Sequence, residues 1–158
     1  MAEIRSGIGF DVHAFDASRP LWLGGVEFED SDGLAGHSDG DAVCHAIADA
    51  MLGAAALGDV GEHFPDTDAA TRGIAGADLL RGVVALARDA GFVVTSLDVT
   101  VIAERPSITP RKSEMREALG AGLGLAVDAV SVKATRPEGL GLTGEGIGCL
   151  AIAVLERR

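Results

Sequence analysis

The sequence predicts an α/β fold, an α+β sandwich in which a single layer of mixed β-sheet packs against helices. Three observations predict it. Residues 93–104 alternate, with Leu97, Val99, Val101 and Ala103 on one face and Asp98, Thr100 and Glu104 on the other, the period of a strand with one buried face. Residues 42–57 place Val43, Ala46, Ile47, Ala50, Met51 and Leu57 at helical spacing. The elements follow the order β-β-α-α-β-α-β-β without repeat, linker or low-complexity run. Sheet on one side and helices on the other is the simplest way to pack them.

Each element has its own signal. Residues 4–15 read as a strand carrying Asp11-Val12-His13. Residues 21–28 read as a short partner strand, entered after Pro20 and broken by Gly24-Gly25. A polar, glycine-rich stretch, 30–40, leads to the first helix, which Asp39 or Asp41 can cap and Gly58 can stop. Residues 59–76 lack periodicity and read as a loop long enough to suggest function. Leu80, Val83, Val84 and Ala87 mark a second helix over 77–90, with Gly91 at its end. Pro106 and Pro110 bracket a turn before a third helix from about residue 111 to 119. Residues 130–135 alternate again, and 147–155 is apolar on both faces, which favours a buried strand.

Composition narrows the function. The chain has 158 residues, enough to bury a core without covalent staples. Its formal net charge is −11 and no Lys/Arg run occurs, so neither nucleic acid nor an anionic membrane is an expected partner. An apolar fraction of 47% excludes a disordered chain. Two cysteines, Cys44 and Cys149, make neither a disulfide framework nor a four-thiolate site. The absence of a leader-like run and of a long uncharged apolar span makes a cytoplasmic protein the expectation.

Several residue groups can carry chemistry. Asp11 and His13, two apart on a strand, leave the same face and can share a divalent ion. His45 lies in an alanine-rich helix where a polar ring needs a partner, and Asp49, one turn later, can hold its second nitrogen. One Asp, two His and an open fourth position form a catalytic zinc pattern. The stretch 37–41 offers backbone N–H groups to an anion at a helix N-terminus, with His37 as an added donor. Residues 59–68 read either as a solvated acidic loop or as a flap gripping a polyhydroxyl substrate. The glycine-rich run after Lys133 can surround a phosphate and its magnesium ion.

Taken together, G-F-D-V-H (9–13), H-S-D-G-D (37–41), H-A-x-x-D-A-x-L-G-A-A-A-L-G-D (45–59), F-P-D-T-D (64–68), D-V-T-V-I-A (98–103), V-K-A-T (132–135) and G-L-x-x-T-G (139–144) span nearly the whole chain. In this order they resemble the 2-C-methyl-D-erythritol 2,4-cyclodiphosphate synthase family of the non-mevalonate isoprenoid pathway. The resemblance implies one domain over 1–158, a homotrimer with active sites between subunits, and a small cytidine diphosphate substrate. The implied reaction converts 4-diphosphocytidyl-2-C-methyl-D-erythritol 2-phosphate to the 2,4-cyclodiphosphate with release of CMP.

The resemblance also implies residue roles. Asp11, His13 and His45 match zinc ligands, and Glu138 matches the ligand of Mg²⁺ or Mn²⁺. His37 and Ser38 match a loop touching substrate phosphate and erythritol; Asp59, Val60, Gly61, Phe64, Asp66 and Asp68 match the erythritol-binding loop. Ala103, Arg105, Pro106, Thr135 and Leu142 match the cytidine and diphosphate side. The family's T-T-T-E reads Thr135-Arg136-Pro137-Glu138 here, so Arg136 takes the place of a hydroxyl and can contact phosphate. Ser107 stands where a lysine is usual, with Arg105 as its possible replacement, and the loop 141–146 is shortened. A metal-dependent phosphoesterase and a non-catalytic metal- and nucleotide-binding trimer are the alternative readings.

Overall fold

Strand β1 (Ile4–Asp16) runs antiparallel to β7 (Gly146–Arg157) in a computed structural model that describes residues 2–141 and 145–158. On the other side of β7 lies antiparallel β5 (Phe92–Ile102), followed by parallel β6 (Val130–Thr135). A two-residue strand, β4 (Gly33–Leu34), closes the opposite edge, giving the order β4-β1-β7-β5-β6. Both β1 and β5 oppose β7, so their C-terminal ends reach the same end of the sheet: His13 pairs with Ile147 and Ile102 with Gly148.

Helix α1 (Ala42–Ala55) lies on the inner face of the sheet. Gly7 and Gly9 permit its close approach. A Cβ built on Gly7 would stand 2.0 Å from the Ala50 carbonyl oxygen, and one on Gly9 1.9 Å from that of Ala46. The alanines and glycines thus bring helix and strand backbones together without interposed side chains. Behind β5 and β6 pack α3 (Gly76–Asp89) and α4 (Lys112–Leu123). The core between the layers holds Ile47, Met51, Leu79, Leu80, Val99, Val101, Met115, Leu119 and Leu155, all nearly or fully buried. Each such side chain contributes about 1.5–3 kcal/mol relative to exposure.

The structure departs from sequence expectation in five places, the first being that α1 ends at left-handed Ala56 and not at Gly58. The 21–28 strand is a hairpin, β2 (Leu21–Leu23) and β3 (Val26–Phe28), forming a separate two-stranded sheet. Gly24 and Gly25 both have positive φ, the conformation a two-residue hairpin turn requires. The 59–76 loop contains a short helix, α2 (Val60–His63). The last helix continues past residue 119 because Leu119 and Leu123 pack into the core, and it ends at left-handed Gly124. Strand β7 is not buried on both faces of the chain: Leu150 and Ile152 are exposed while Cys149, Ala151 and Ala153 are buried.

Candidate active site

Asp11 and His13 project from the inner face of β1, beside the start of α1. The His13 and His45 rings lie 5.5 Å apart, and ligand atoms of Asp11, His13 and His45 all fall within 4.8 Å of one another. Each imidazole is held from behind. His13 Nδ1 lies 2.6 Å from the Ala35 carbonyl oxygen, and His45 Nδ1 lies 2.7 Å from that of Asp41. A carbonyl only accepts, so both Nδ1 atoms carry the proton and both Nε2 atoms present lone pairs.

That arrangement fits a cation. His13 Nε2 and Asp11 Oδ2 approach to 2.6 Å, yet both are buried atoms without a partner in ordinary hydrogen-bond geometry. Two acceptors facing each other demand a proton or a metal ion between them. The Asp11 carboxylate beside the ring raises the pKa of His13, against the opposing effect of burial. Three N/O ligands from a strand and a helix would suit an ion with room for a further ligand, the ligand count of catalytic rather than closed structural zinc sites.

The motif 37–41 divides its labour. Buried Asp41 caps α1 through the Cys44 N–H and also accepts from Gly24 N and Gly25 N, which ties the hairpin turn to the helix. Asp39 accepts from Asp41 N and from Gly76 N at the start of α3; burial raises its pKa. Gly40 N donates to Ser38 Oγ, which also lies 3.2 Å from His45 Nε2. Gly40 N and Asp41 N donate within the motif and Asp39 N donates to the Ile74 carbonyl, so these three donors are not offered to an anion. His37 remains exposed, its Nε2 3.7 Å from Asp66. The expected His45–Asp49 contact is also absent. Asp41 supplies the carbonyl instead, and Asp49 accepts from Val60 N at 2.8 Å.

A cleft of about 550 Å³ joins most of the expected residues: Asp11, His13, His37, Ser38 and His45 on one wall, Asp59, Val60, Gly61, Phe64 and Asp66 on the other. Asp68 is not in its lining; the carboxylate caps Ala70 N in the turn that follows. Sequence reasoning missed two arginines. Arg72 is the only Lys or Arg lining the cleft among the described residues. Arg19 donates to the carbonyls of Gly36 and Ser38, fixing the loop that bears His37. Neither position belongs to a periodic segment, so no pattern marks it.

The residues expected on the cytidine side gather elsewhere. Ala103, Pro106, Thr135 and Arg136 line a smaller pocket of about 120 Å³ with Glu104 and Ser107, at the C-terminal ends of β5 and β6. Arg105 turns away: its guanidinium sits 4.1 Å over the Phe15 ring and 3.2 Å from Asp32. It therefore does not replace the missing lysine within this pocket. Glu138 is exposed, with φ of 53°, and lines neither cavity. Leu142 and most of the shortened loop, residues 142–144, lie outside the described residues. Within one chain, the two groups of candidate residues do not share a cavity. No described helix is long and apolar enough to cross a membrane.

Known proteins share both the sequence and this architecture. The YgbB family model matches residues 4–156. A 2-C-methyl-D-erythritol 2,4-cyclodiphosphate synthase of Shewanella baltica (strain OS223) is 54% identical over 158 residues, covering 99% of this chain and 98% of its own. The bifunctional IspDF of Campylobacter jejuni superposes with a TM-score of 0.94 at 39% identity, over 100% of this chain and 43% of that one. A 2C-methyl-D-erythritol-2,4-cyclodiphosphate synthase in a CDP-bound form superposes with a TM-score of 0.89 at 32% identity, over 96% and 99%. With the matched sequence running through β1, both candidate pockets and β7, the chain belongs to the YgbB family.

Proposed function

We propose that this chain forms 2-C-methyl-D-erythritol 2,4-cyclodiphosphate from 4-diphosphocytidyl-2-C-methyl-D-erythritol 2-phosphate, as a phosphorus–oxygen lyase of isoprenoid synthesis. An oxygen of the 2-phosphate bonds to the β-phosphorus of the diphosphate, the bond from that phosphorus to the CMP oxygen breaks, and CMP leaves. The observation that carries this reading is the Asp11–His13–His45 cluster, with both imidazoles held through Nδ1 from behind and all three residues lining one cleft.

Asp11, His13 and His45 would hold Zn²⁺, and Glu138 would hold Mg²⁺ or Mn²⁺ on the diphosphate, each ion supplying positive charge against phosphoryl oxygens. The chain's own residues position the reactants. Ser38 Oγ and the His37 ring border the metal cluster and offer hydrogen bonds to phosphate. Asp59, Gly61 and Asp66 on the facing wall offer acceptors and backbone to the erythritol hydroxyls. Arg136 lines the smaller pocket with Ala103, Pro106 and Thr135, where a guanidinium can pair with a diphosphate oxygen. No side-chain nucleophile is needed, because one phosphate attacks another.

A homotrimer with sites between subunits fits two further features. Metal cluster and nucleotide-side pocket are separate within one chain. The outer sheet face pairs Ile8 with Ile152 and Phe10 with Leu150, and all four are exposed, with Ile4 and Val12 beside them. Such a continuous apolar face is expected to be covered in an assembly. The chain as one domain, its cytoplasmic location, and a partner set without nucleic acid or membrane belong to the same proposal. The test is a ³¹P NMR assay with Zn²⁺ and Mg²⁺: a cyclic diphosphate and CMP are expected. Free inorganic phosphate would identify a phosphoesterase, and CMP binding without turnover a non-catalytic protein.

A further inference from the structure

Asp49 lies one turn beyond His45 on α1, half-buried, and lines the main cleft. Its Oδ1 accepts from Val60 N, the first residue of α2, at 2.8 Å. The neighbouring Asp59 accepts from Glu62 N, so α2 is closed at its own start and tied to α1 by a single carboxylate. Farther along, His63 Nε2 donates to the Leu57 carbonyl, and the Phe64 ring packs against Gly82 of α3. The wall 59–64 is thereby anchored at both ends, and the anchor nearest the metal cluster springs from the helix that bears His45.

We propose that Asp49 is a positioning residue for the substrate-facing wall. It sets Val60 and the adjacent Asp59 and Gly61 at a fixed distance from the metal cluster through the hydrogen bond to the Val60 amide, and it does not act through His45. The inference rests on the reading of 59–68 as the erythritol-binding segment. His45 does not need Asp49, because the Asp41 backbone carbonyl already accepts the hydrogen bond from its Nδ1. The two roles make different demands. Orienting His45 would couple Asp49 to metal affinity; holding Val60 couples it to the order of the loop and to substrate binding.

Two substitutions separate these roles. Asp49→Asn keeps an oxygen that can accept from Val60 N, and Asp49→Ala removes it. In Asp49→Ala, hydrogen exchange at the Val60 amide should quicken by about tenfold and KM should rise about tenfold, the scale of one charge-assisted hydrogen bond. Zinc affinity and kcat should each stay within about threefold, and Asp49→Asn should restore both exchange protection and KM to about that margin. A roughly tenfold or greater loss of zinc affinity with unchanged Val60 exchange would overturn the proposal in favour of a ligand-orienting role. An Asp49→Asn variant with a protected Val60 amide and KM as high as in Asp49→Ala would overturn it in favour of direct charge contact with substrate. If the wild-type protein forms no cyclic product, the functional reading fails; exchange and zinc affinity then still decide which partner Asp49 serves.

Discussion

The two candidate clusters stand at the same end of one sheet and are built differently. At the end of β1, every metal-facing ring is fixed by a backbone carbonyl, and the loop behind it is held by Arg19, Asp39 and Asp41. At the ends of β5 and β6, Thr135, Arg136 and Glu138 are exposed, and Gly139 N to Glu104 at 3.4 Å is the only side-chain bond recorded for the 136–140 run among the described residues. The first cluster carries its rigidity within the chain. The second presents exposed side chains at the ends of its strands. Strand β7 runs between them, its inner face filled by Ile147, Cys149 and Ala151.

The strongest challenge to this contrast is His45→Ala. It should abolish stoichiometric metal binding and lower kcat/KM by about 10³-fold or more, with the far-UV spectrum unchanged. Metal analysis beside the ³¹P assay reads both; full turnover without bound metal would end the ligand assignment. Next in size is Gly9→Ala. Its Cβ would meet the Ala46 carbonyl oxygen at 1.9 Å, a backbone clash that no rotamer relieves. A loss of about 3 kcal/mol in urea unfolding is expected, at the upper end of ordinary overpacking costs.

Arg136→Ala tests the other cluster. Loss of one guanidinium–phosphate contact should raise KM by about tenfold or more without affecting zinc. Mixing it with His45→Ala subunits sharpens the comparison. If sites combine residues of two chains, refolded mixtures should regain roughly a quarter of wild-type activity by random assortment, although each variant alone is nearly inactive or weak. No gain on mixing would place both clusters in one chain's site.

The smallest effect concerns pH. Asp11 raises the pKa of His13 in the metal-free fold. That stabilisation is fully present below the unfolded value of about 6.5 and is lost as pH rises through the folded value. Metal binding requires the neutral ring, so it strengthens over the same interval. The melting temperature should therefore fall with rising pH in EDTA, while the increment gained on adding Zn²⁺ should grow. Parallel slopes in both conditions would contradict competition between proton and metal at His13.

Much of this arrangement was legible in the sequence because it depends on short periods. A spacing of two puts Asp11 and His13 on one strand face, and alternation separates Leu97 and Val99 from Asp98 and Thr100. Asp49 was misplaced because i, i+4 spacing only says which side chains can meet; it does not show that Val60 N arrives from outside the helix to claim the carboxylate. The Gly24-Gly25 pair reads as a break until the strand reverses at it. Arg19 and Arg72 act from irregular segments, where three-dimensional proximity has no sequence period. Separation of the residues expected on the nucleotide side from the metal cleft is equally invisible in a motif list, since both lie in the same order along any chain of the family.

The contact of Gly7 and Gly9 with Ala50 and Ala46 bears on how this protein tolerates change. The offset between His13 and His45 is set by two backbones in direct contact, with no intervening side chain whose volume can vary. Core substitutions at Met115 or Leu119, which line no part of the metal cleft, can therefore drift and trade stability while metal affinity stays constant. At positions 7 and 9 the two properties cannot vary separately, because any β-carbon that moves the helix also moves a ligand.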